Sequence, residues 1–239
     1  MIPKIIHYCW FGDGEMPKIA KQCIASWKKV LPEYEIKFWN ENNFDINVSA
    51  FSKQAYQLNK FAFVSDYARV YILKKYGGIY LDIDIEIVKN LDEILEKNVV
   101  LGTDENGFLT AFMAAKKESK YFSELLEVYD KMEFIKKNGT INNVTNNYWM
   151  QDVLIKFGFE LINKNQELSD GIFVYQDDFF HARSLVSGKY NITNNTYAIH
   201  HHSLSWISFK TKIIRFFRLK LLVPIIGSEN YTNFTKKIK

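Results

Sequence analysis

Cysteine is nearly absent: Cys9 and Cys23 are the two in a chain of 239 residues. That is too few for a disulfide framework, and it makes a reduced, cytoplasmic compartment the expectation. No run of about 18 apolar residues occurs, so no stretch reads as crossing a bilayer. The opening Met1-Ile2-Pro3-Lys4-Ile5-Ile6-His7 lacks the long apolar core and small-residue cleavage site of a secretory signal, in line with that expectation. Internal repeats and low-complexity linkers are missing too, which argues against solenoids and arrays. Charge is not one-sided either. Lys and Arg number 31 against 27 Asp and Glu, a formal net charge of +4. Such a balance suits a phosphate-bearing partner but does not by itself imply nucleic acid. What the chain does have is 47% hydrophobic residues, enough at this length to bury one substantial core and to exclude disorder.

The N-terminal half alternates strand and helix. Ile5 to Phe11 reads as a short strand closed by the turn Gly12-Asp13-Gly14. Ile19, Cys23, Ile24 and Trp27 recur at helical spacing within Pro17 to Val30. Tyr34 to Trp39 alternates as a second strand and ends in Asn40-Glu41-Asn42-Asn43. Phe61 to Tyr76 is the strongest helix, stopped by Gly77-Gly78, a pair that permits a left-handed C-cap. Ile79 to Val88 follows as a strand. This order implies an α/β domain with a largely parallel sheet and ligands near the C-terminal strand ends. Beyond Leu91 the signals thin. Val99 to Gly102, Leu109 to Ala115 and Tyr197 to His201 read as strands, Tyr121 to Phe134 and Trp149 to Phe157 as helices, and Asn138 to Asn147 as a polar loop.

Chemistry concentrates in Tyr80-Leu81-Asp82-Ile83-Asp84-Ile85-Glu86. On a continuous strand, Ile79, Leu81, Ile83 and Ile85 share one face while Tyr80, Asp82, Asp84 and Glu86 share the other. A solvated acidic face is physically cheap, because carboxylates roughly 7 Å apart in water repel by only about 0.6 kcal/mol. Yet Asp is a poor strand former, and a divalent cation held by hard oxygen ligands explains the pair equally well. The strand alone leaves both open. The preceding helix adds Asp66 and Arg69, three apart on one face of an otherwise apolar helix. An ordinary surface ion pair is the plain alternative, but a charged pair on so apolar a helix more often serves a cleft.

Ser65-Asp66-Tyr67-Ala68-Arg69 followed by Tyr76-Gly77-Gly78-Ile79-Tyr80-Leu81-Asp82-Ile83-Asp84 resembles the DXD-containing sugar-binding region of family-32 glycosyltransferases. That family includes bacterial capsular-polysaccharide enzymes and yeast mannosyltransferases, and the large clostridial glucosylating toxins carry a similar pattern. Ile2 to Gly12 resembles the family's opening strand, and Tyr197 to Trp206 its closing His-x(5)-Trp element. The ordered set spans residues 2 to 206. It implies a GT-A-type nucleotide-diphosphosugar fold over 1–206, with 207–239 as an extension. It further implies a metal-dependent, retaining transfer of a hexose from a nucleotide diphosphate sugar, UDP favoured, to a saccharide or lipid-linked saccharide acceptor of bacterial surface polysaccharide. By the same resemblance Trp10 stacks on the base, with core packing as its alternative. Asn42 falls near a nucleoside contact, Asp66 and Arg69 contact donor sugar and phosphate, and Tyr80 and Trp206 complete the donor-binding set. Asp84 becomes the direct ligand of Mn²⁺ or Mg²⁺, and Asp82 a ligand or a contact to ribose or sugar.

In the run His200-His201-His202, alternation lets His200 and His202 share a site that His201 cannot easily join. Neutral imidazole ligates ions such as Mn²⁺. By the resemblance His200, six before Trp206, is the first choice as a late ligand or diphosphate contact, and His201 the alternative, since the toxins' acidic ligand falls one place nearer the Trp. Two rival functions remain at this level. Asp82-Ile83-Asp84 also resembles the nucleophile strand of haloacid-dehalogenase-type phosphatases, although Glu86 replaces the usual Thr or Val and that motif usually sits on the first strand. A basic nucleic-acid module is the other, opposed by dispersed Lys and Arg and the lack of a recognised motif. Finally, Trp206 to Ile226 interleaves Lys210, Lys212, Arg215, Arg218 and Lys220 with large apolar residues. That pattern suits an interfacial helix on an anionic membrane, or a helix packed on the domain.

Overall fold

The computed structural model describes residues 1–104, 107–142, 144, 146–185, 187–203, 213–214, 216–217 and 223–227. Nine strands and five helices carry the architecture among the described residues: β1 (Ile5–Cys9), α1 (Lys18–Val30), β2 (Glu35–Trp39), α2 (Ala50–Gln57), α3 (Phe61–Tyr76), β3 (Gly78–Leu81), β4 (Ile85–Ile87), β5 (Val99–Asp104), β6 (Gly107–Ala115), α4 (Lys120–Asp130), α5 (Asn146–Ile155), β7 (Gln166–Glu167), β8 (Ile172–Tyr175) and β9 (Ala198–His200). Seven strands form one sheet in the order β2-β1-β3-β6-β5-β8-β7, and β4 pairs with β9 in a second. Strands β2, β1, β3, β5 and β8 run one way, with β6 and β7 reversed, so the main sheet is mostly parallel, as the strand–helix alternation implies.

Helices cover one face of the sheet, and α1 with the β4–β9 pair covers the other. Strand alternation divides the core accordingly. Tyr80, Leu101, Met113 and Val174 pack with Phe51, Tyr67, Tyr121 and Leu154 from α2 to α5. Ile79, Leu81, Val100 and Phe112 pack with Cys23 and Trp27 of α1, Ile85 of β4 and Ala198 of β9. Helix α3, with the span its spacing predicts, is enclosed on nearly all sides: Val64, Tyr67, Ala68, Val70, Ile72 and Leu73 are buried, and Arg69 with them. A helix apolar all round belongs in the interior.

Gly77-Gly78 turns the chain from α3 into β3. The Gly77 N–H still caps Leu73, but its φ of 67° comes with a ψ of −163°. That is outside the left-handed helical well and in a region essentially reserved for glycine, a sharper turn than the predicted C-cap. A Cβ on Gly77 would lie 2.6 Å from the Lys117 amide, and one on Gly78 2.6 Å from the Ile5 carbonyl. Both positions therefore exclude a side chain.

The largest difference from the sequence-based expectation is the strand over Ile79 to Val88, which is broken in two. It leaves the main sheet after Leu81, turns with the Ile85 N–H donating to the Asp82 carbonyl at 3.0 Å, and resumes against β9. Helix α1 draws it away: the Trp27 indole N–H donates to the Ile85 carbonyl at 2.7 Å, and the Ile87 N–H donates to Ser26 Oγ at 3.0 Å. Helix α2 and strands β7 and β8 were not anticipated.

Candidate active site

Strands β1 and β3 lie side by side and parallel, so Trp10 and Asp82 emerge at the same sheet edge, at the C-terminal ends of their strands. The loop after β2 closes on that edge. Trp10 N–H donates to the Trp39 carbonyl at 3.0 Å, and the Gly12 N–H donates to Glu41 Oε1 at 2.5 Å. Trp10 is half-buried and outside both core clusters, so the core-packing alternative does not describe it. Its indole N–H donates to the Gly14 carbonyl, leaving the ring anchored at a rim. Asn42 is exposed in the same loop, its N–H donating to Asn40 Oδ1.

Behind the rim, Arg69 reaches from α3 under the end of β3. Its Nε donates to the Ser65 carbonyl at 3.2 Å and Nη1 to the Thr110 carbonyl at 3.0 Å. Its Nη2 lies 3.1 Å from Asp66 Oδ1 and 3.3 Å from Asp82 Oδ1. The guanidinium also lies over the Tyr80 ring, whose buried hydroxyl donates to Asp82 Oδ1 at 3.0 Å. Arg69 is thus held by four groups of the protein at 6% exposure. Its charge neutralises Asp66 and Asp82 from behind the acidic pair. Tyr80 likewise touches Asp82 from inside. Burial pushes the Asp66 carboxyl up to about 6, against the opposing pull of Arg69.

The broken strand is what assembles the acidic site. Because the chain turns at 82–84, Asp82 and Asp84 face a common space with His200 from β9, each offering one ligand atom within 4.8 Å of the others. His200 Nε2 stands 3.4 Å from Asp84 Oδ1, and the Ser203 N–H donates to Asp84 Oδ2 at 2.7 Å. Burial alone would raise the Asp84 carboxyl. The His200 charge and the hydrogen bonds from His200 and Ser203 outweigh it and hold Asp84 well below the usual carboxylate range. His200 moves the opposite way: burial opposes its protonation, but Asp84 wins and raises it.

His201 is not brought to this space. Alternation along β9 sends its ring to Glu86 of β4, with Nε2 2.8 Å from Glu86 Oε2. That removes His201 as an alternative ligand and Glu86 as a member of the acidic face. Trp206 lies outside the described residues. Sequence reasoning missed His181, which follows the turn Asp177–Phe179 and stands beside His200 and His202. Nothing local marks it, because only the packing of that turn against β9 makes it a neighbour. Burial and the His200 charge lower His181 to about 3, and burial, then His200 and His181, lower His202 to about 2.

Two carboxylates and an imidazole within one coordination sphere fit a divalent cation that accepts oxygen and nitrogen donors. An oxygen-rich ion site at the C-terminal edge of a parallel sheet is suited to a diphosphate.

Comparison with known proteins agrees with this geometry. Residues 17–101 match the glycosyltransferase sugar-binding region containing the DXD motif, and Asp82-Ile83-Asp84 lies inside the match. An uncharacterized glycosyltransferase of Acanthamoeba polyphaga mimivirus is 28% identical over 95% of this chain and 92% of its own length. Inositol phosphoceramide mannosyltransferase 1 of Schizosaccharomyces pombe is 25% identical over 54% of this chain, and the aligned part is 43% of that enzyme. Among solved structures, the PaToxG glycosyltransferase superposes with a TM-score of 0.52 at 19% identity, covering 65% of this chain and 68% of that one. This likeness concerns the fold, which is of the GT-A type.

Proposed function

We propose that this chain, a glycosyltransferase of the DXD type, moves a hexose from a nucleotide diphosphate sugar to a saccharide acceptor in a cation-dependent, retaining reaction. The convergence of Asp82, Asp84 and His200 within 4.8 Å, on the edge where Trp10 emerges, is the observation that carries this reading. Asp84 and Asp82 would hold the cation, with His200 beside them as a further ligand or diphosphate contact. When bound, a Mn²⁺ or Mg²⁺ ion supplies positive charge to the diphosphate leaving group.

The chain's own residues orient and select. Arg69 and the Tyr80 hydroxyl fix the Asp82 carboxylate, and Ser203 fixes Asp84, so the acidic pair is preorganised. Trp10 offers a half-exposed ring for the base, with uracil favoured, and Asn42 a polar group on the same loop-lined edge. Asp66 would receive a sugar hydroxyl, the role the family resemblance implies. No carboxylate is assigned as a covalent nucleophile; the acceptor hydroxyl then loses its proton to the departing phosphate oxygen on the face the leaving group vacates.

Hexose identity has two readings. UDP-hexose follows from Trp10, whereas the names of the fission-yeast relatives favour mannose and a lipid-linked acceptor. The bacterial surface-polysaccharide setting rests on the sequence resemblance. Incubating the chain with UDP- and GDP-hexoses and Mn²⁺, and following donor cleavage and product anomer by NMR, separates these readings. Turnover of one donor with retained configuration and loss on chelation is expected. Full turnover after exhaustive EDTA treatment contradicts the proposal, as does phosphatase activity on p-nitrophenyl phosphate without donor cleavage.

A second part of the reading concerns place. Among the described residues beyond 203, Ile213, Ile214, Phe216 and Phe217 are all exposed, while the basic residues interleaved with them in sequence lie outside the described residues. No helix of the described chain is long and apolar enough to cross a membrane. The segment supports reversible docking on an anionic, cytoplasmic-face membrane surface that presents a lipid-linked acceptor.

A further inference from the structure

His181, His200 and His202 form a cluster of which donor binding uses at most His200. One ring nitrogen from each lies within 4.8 Å of the other two. Ring centroids are 3.9 Å apart for His200 and His202, and 4.7 Å for His181 and His202. All three lie in the interior or at its margin, with His181 at 5% and His202 at 7% exposure. Both nitrogens of His181 and Nδ1 of His200 are buried without a hydrogen-bond partner. Buried polar atoms are nearly always satisfied in a folded protein, so three orphaned nitrogens in one cluster point to a missing ligand.

The surroundings are built to hold the rings. His202 Nε2 donates to the Arg183 carbonyl at 2.9 Å, which leaves Nδ1 as its free lone pair. Arg183 in turn donates from Nη1 to the His201 carbonyl, tying 181–183 to the end of β9. His202 takes a φ of 53°, a conformation uncommon outside glycine. His200 keeps Nε2 toward Asp84 at 3.4 Å while its Nδ1 stays unpartnered. A carboxylate behind one nitrogen of an imidazole whose other nitrogen is free is the arrangement that orients a metal-ligating histidine.

We propose that His181, His200 and His202 form a second cation site, distinct from the acidic pair, for a borderline transition ion of the Zn²⁺ class. Three imidazoles and no ligating carboxylate suit Zn²⁺ or Co²⁺ and disfavour Mg²⁺ and Ca²⁺. The ion would pin the 181–183 segment to β9 and, through His200, fix Asp84. The site shares His200 with the donor-binding proposal but does not require that proposal to hold.

Co²⁺ titration of the metal-stripped full chain, followed by its visible ligand-field bands, tests the assignment. The bands of a nitrogen-liganded ion should saturate at one Co²⁺ per chain and persist in Asp82→Asn, where Mn²⁺-dependent UDP binding is measured separately. His181→Gln and His202→Gln should lose the bands or weaken Co²⁺ at least about 100-fold, and Asp84→Asn should weaken it roughly 10–100-fold as an orienting partner. Bands unchanged in both His variants would overturn the proposal. So would bands lost equally in Asp82→Asn, which would mean one centre on the carboxylates, or no bands in the wild type. Zn²⁺ titration of the wild type, followed by ¹⁵N shifts of the imidazoles, needs no variant. The shifts should move His181, His200 and His202 together, and their failure to do so also refutes the site.

Discussion

Arg69 is the residue on which the geometry of the candidate site turns. It is a full charge in the interior, facing Asp66 and Asp82 and two backbone carbonyls, and each of its partners loses something different if it goes. Arg69→Met should leave two carboxylates without a counter-charge and lower stability by about 3 kcal/mol, the scale of breaking a buried ion pair. Arg69→Lys should recover little of that, because one ammonium cannot replace a fork with four partners. Urea melts of both variants check this, and wild-type stability in Arg69→Met would contradict it. Trp10 makes the opposite case, since its half-exposed ring packs in neither core. Trp10→Ala should weaken UDP binding by roughly 1–3 kcal/mol with little change in melting, and Trp10→Phe should restore much of the affinity. Early melting with normal UDP affinity would return Trp10 to a packing role. Most of these residues were legible in the sequence, because Asp66, Arg69, Asp82 and Asp84 stand at telling spacings on either side of a Gly-Gly turn. What Arg69 touches was not, since Thr110 reaches it from a strand that only folding brings near.

At the scale of elements, β1, α1, β2, α3 and the β5–β6 region were legible because periodicity and turn residues agree along each of them. The break after Leu81 was not. Ile79, Leu81, Ile83 and Ile85 keep strict alternation through it, and the hydrogen bonds that draw β4 aside come from Trp27 and Ser26 on α1. The same break changes what the acidic residues mean: a continuous strand would have aligned Glu86 with the aspartates, whereas the turn gives it to His201. The Gly77 turn makes the break possible by directing β3 beside β1. Gly77→Ala should cost at least about 1–3 kcal/mol, from the glycine-only backbone and the backbone clash at Lys117. Guanidinium melts check it, and a neutral substitution would contradict the turn geometry. His7 gives β1 a pH signature. It accepts from the Trp39 indole at Nδ1 and donates from Nε2 to the Gly77 carbonyl, so the neutral tautomer fits the fold. Burial, with Lys37 adding to it, lowers its pKa from 6.5 to about 4 despite the Gly77 bond. The folded pKa lies below the unfolded one, so this stability is full above about pH 6.5 and is lost as pH falls toward 4. The term amounts to about 3 kcal/mol. His7→Gln, which keeps a donor toward Gly77, should reduce the fall in stability between pH 6.5 and 4 by that share, while His181 and His202, lowered in the same direction, keep theirs. An unchanged slope would show that His7 does not titrate this way.

For the whole molecule, the sheet order places the loops after β1 and β2, the acidic pair and the end of β9 along one edge. The segment after residue 203 extends the question to where the enzyme works. If exposed Ile213, Ile214, Phe216 and Phe217 dock on lipid, full-length protein should float with anionic liposomes at low salt and release at high salt. A chain ending at 206 should not float. Equal behaviour of the two would remove the segment from any membrane role. The central claim, however, is that Asp82 and Asp84 bind a nucleotide diphosphate through a divalent cation, and calorimetric titration of UDP into the metal-stripped chain tests it most directly. With Mn²⁺ present, UDP should bind at least about 2–4 kcal/mol more tightly than with EDTA, and Asp84→Asn should erase that difference while its melting curve shows a folded chain. UDP affinity that is the same with and without cation, or a cation effect preserved in Asp84→Asn, would contradict the account.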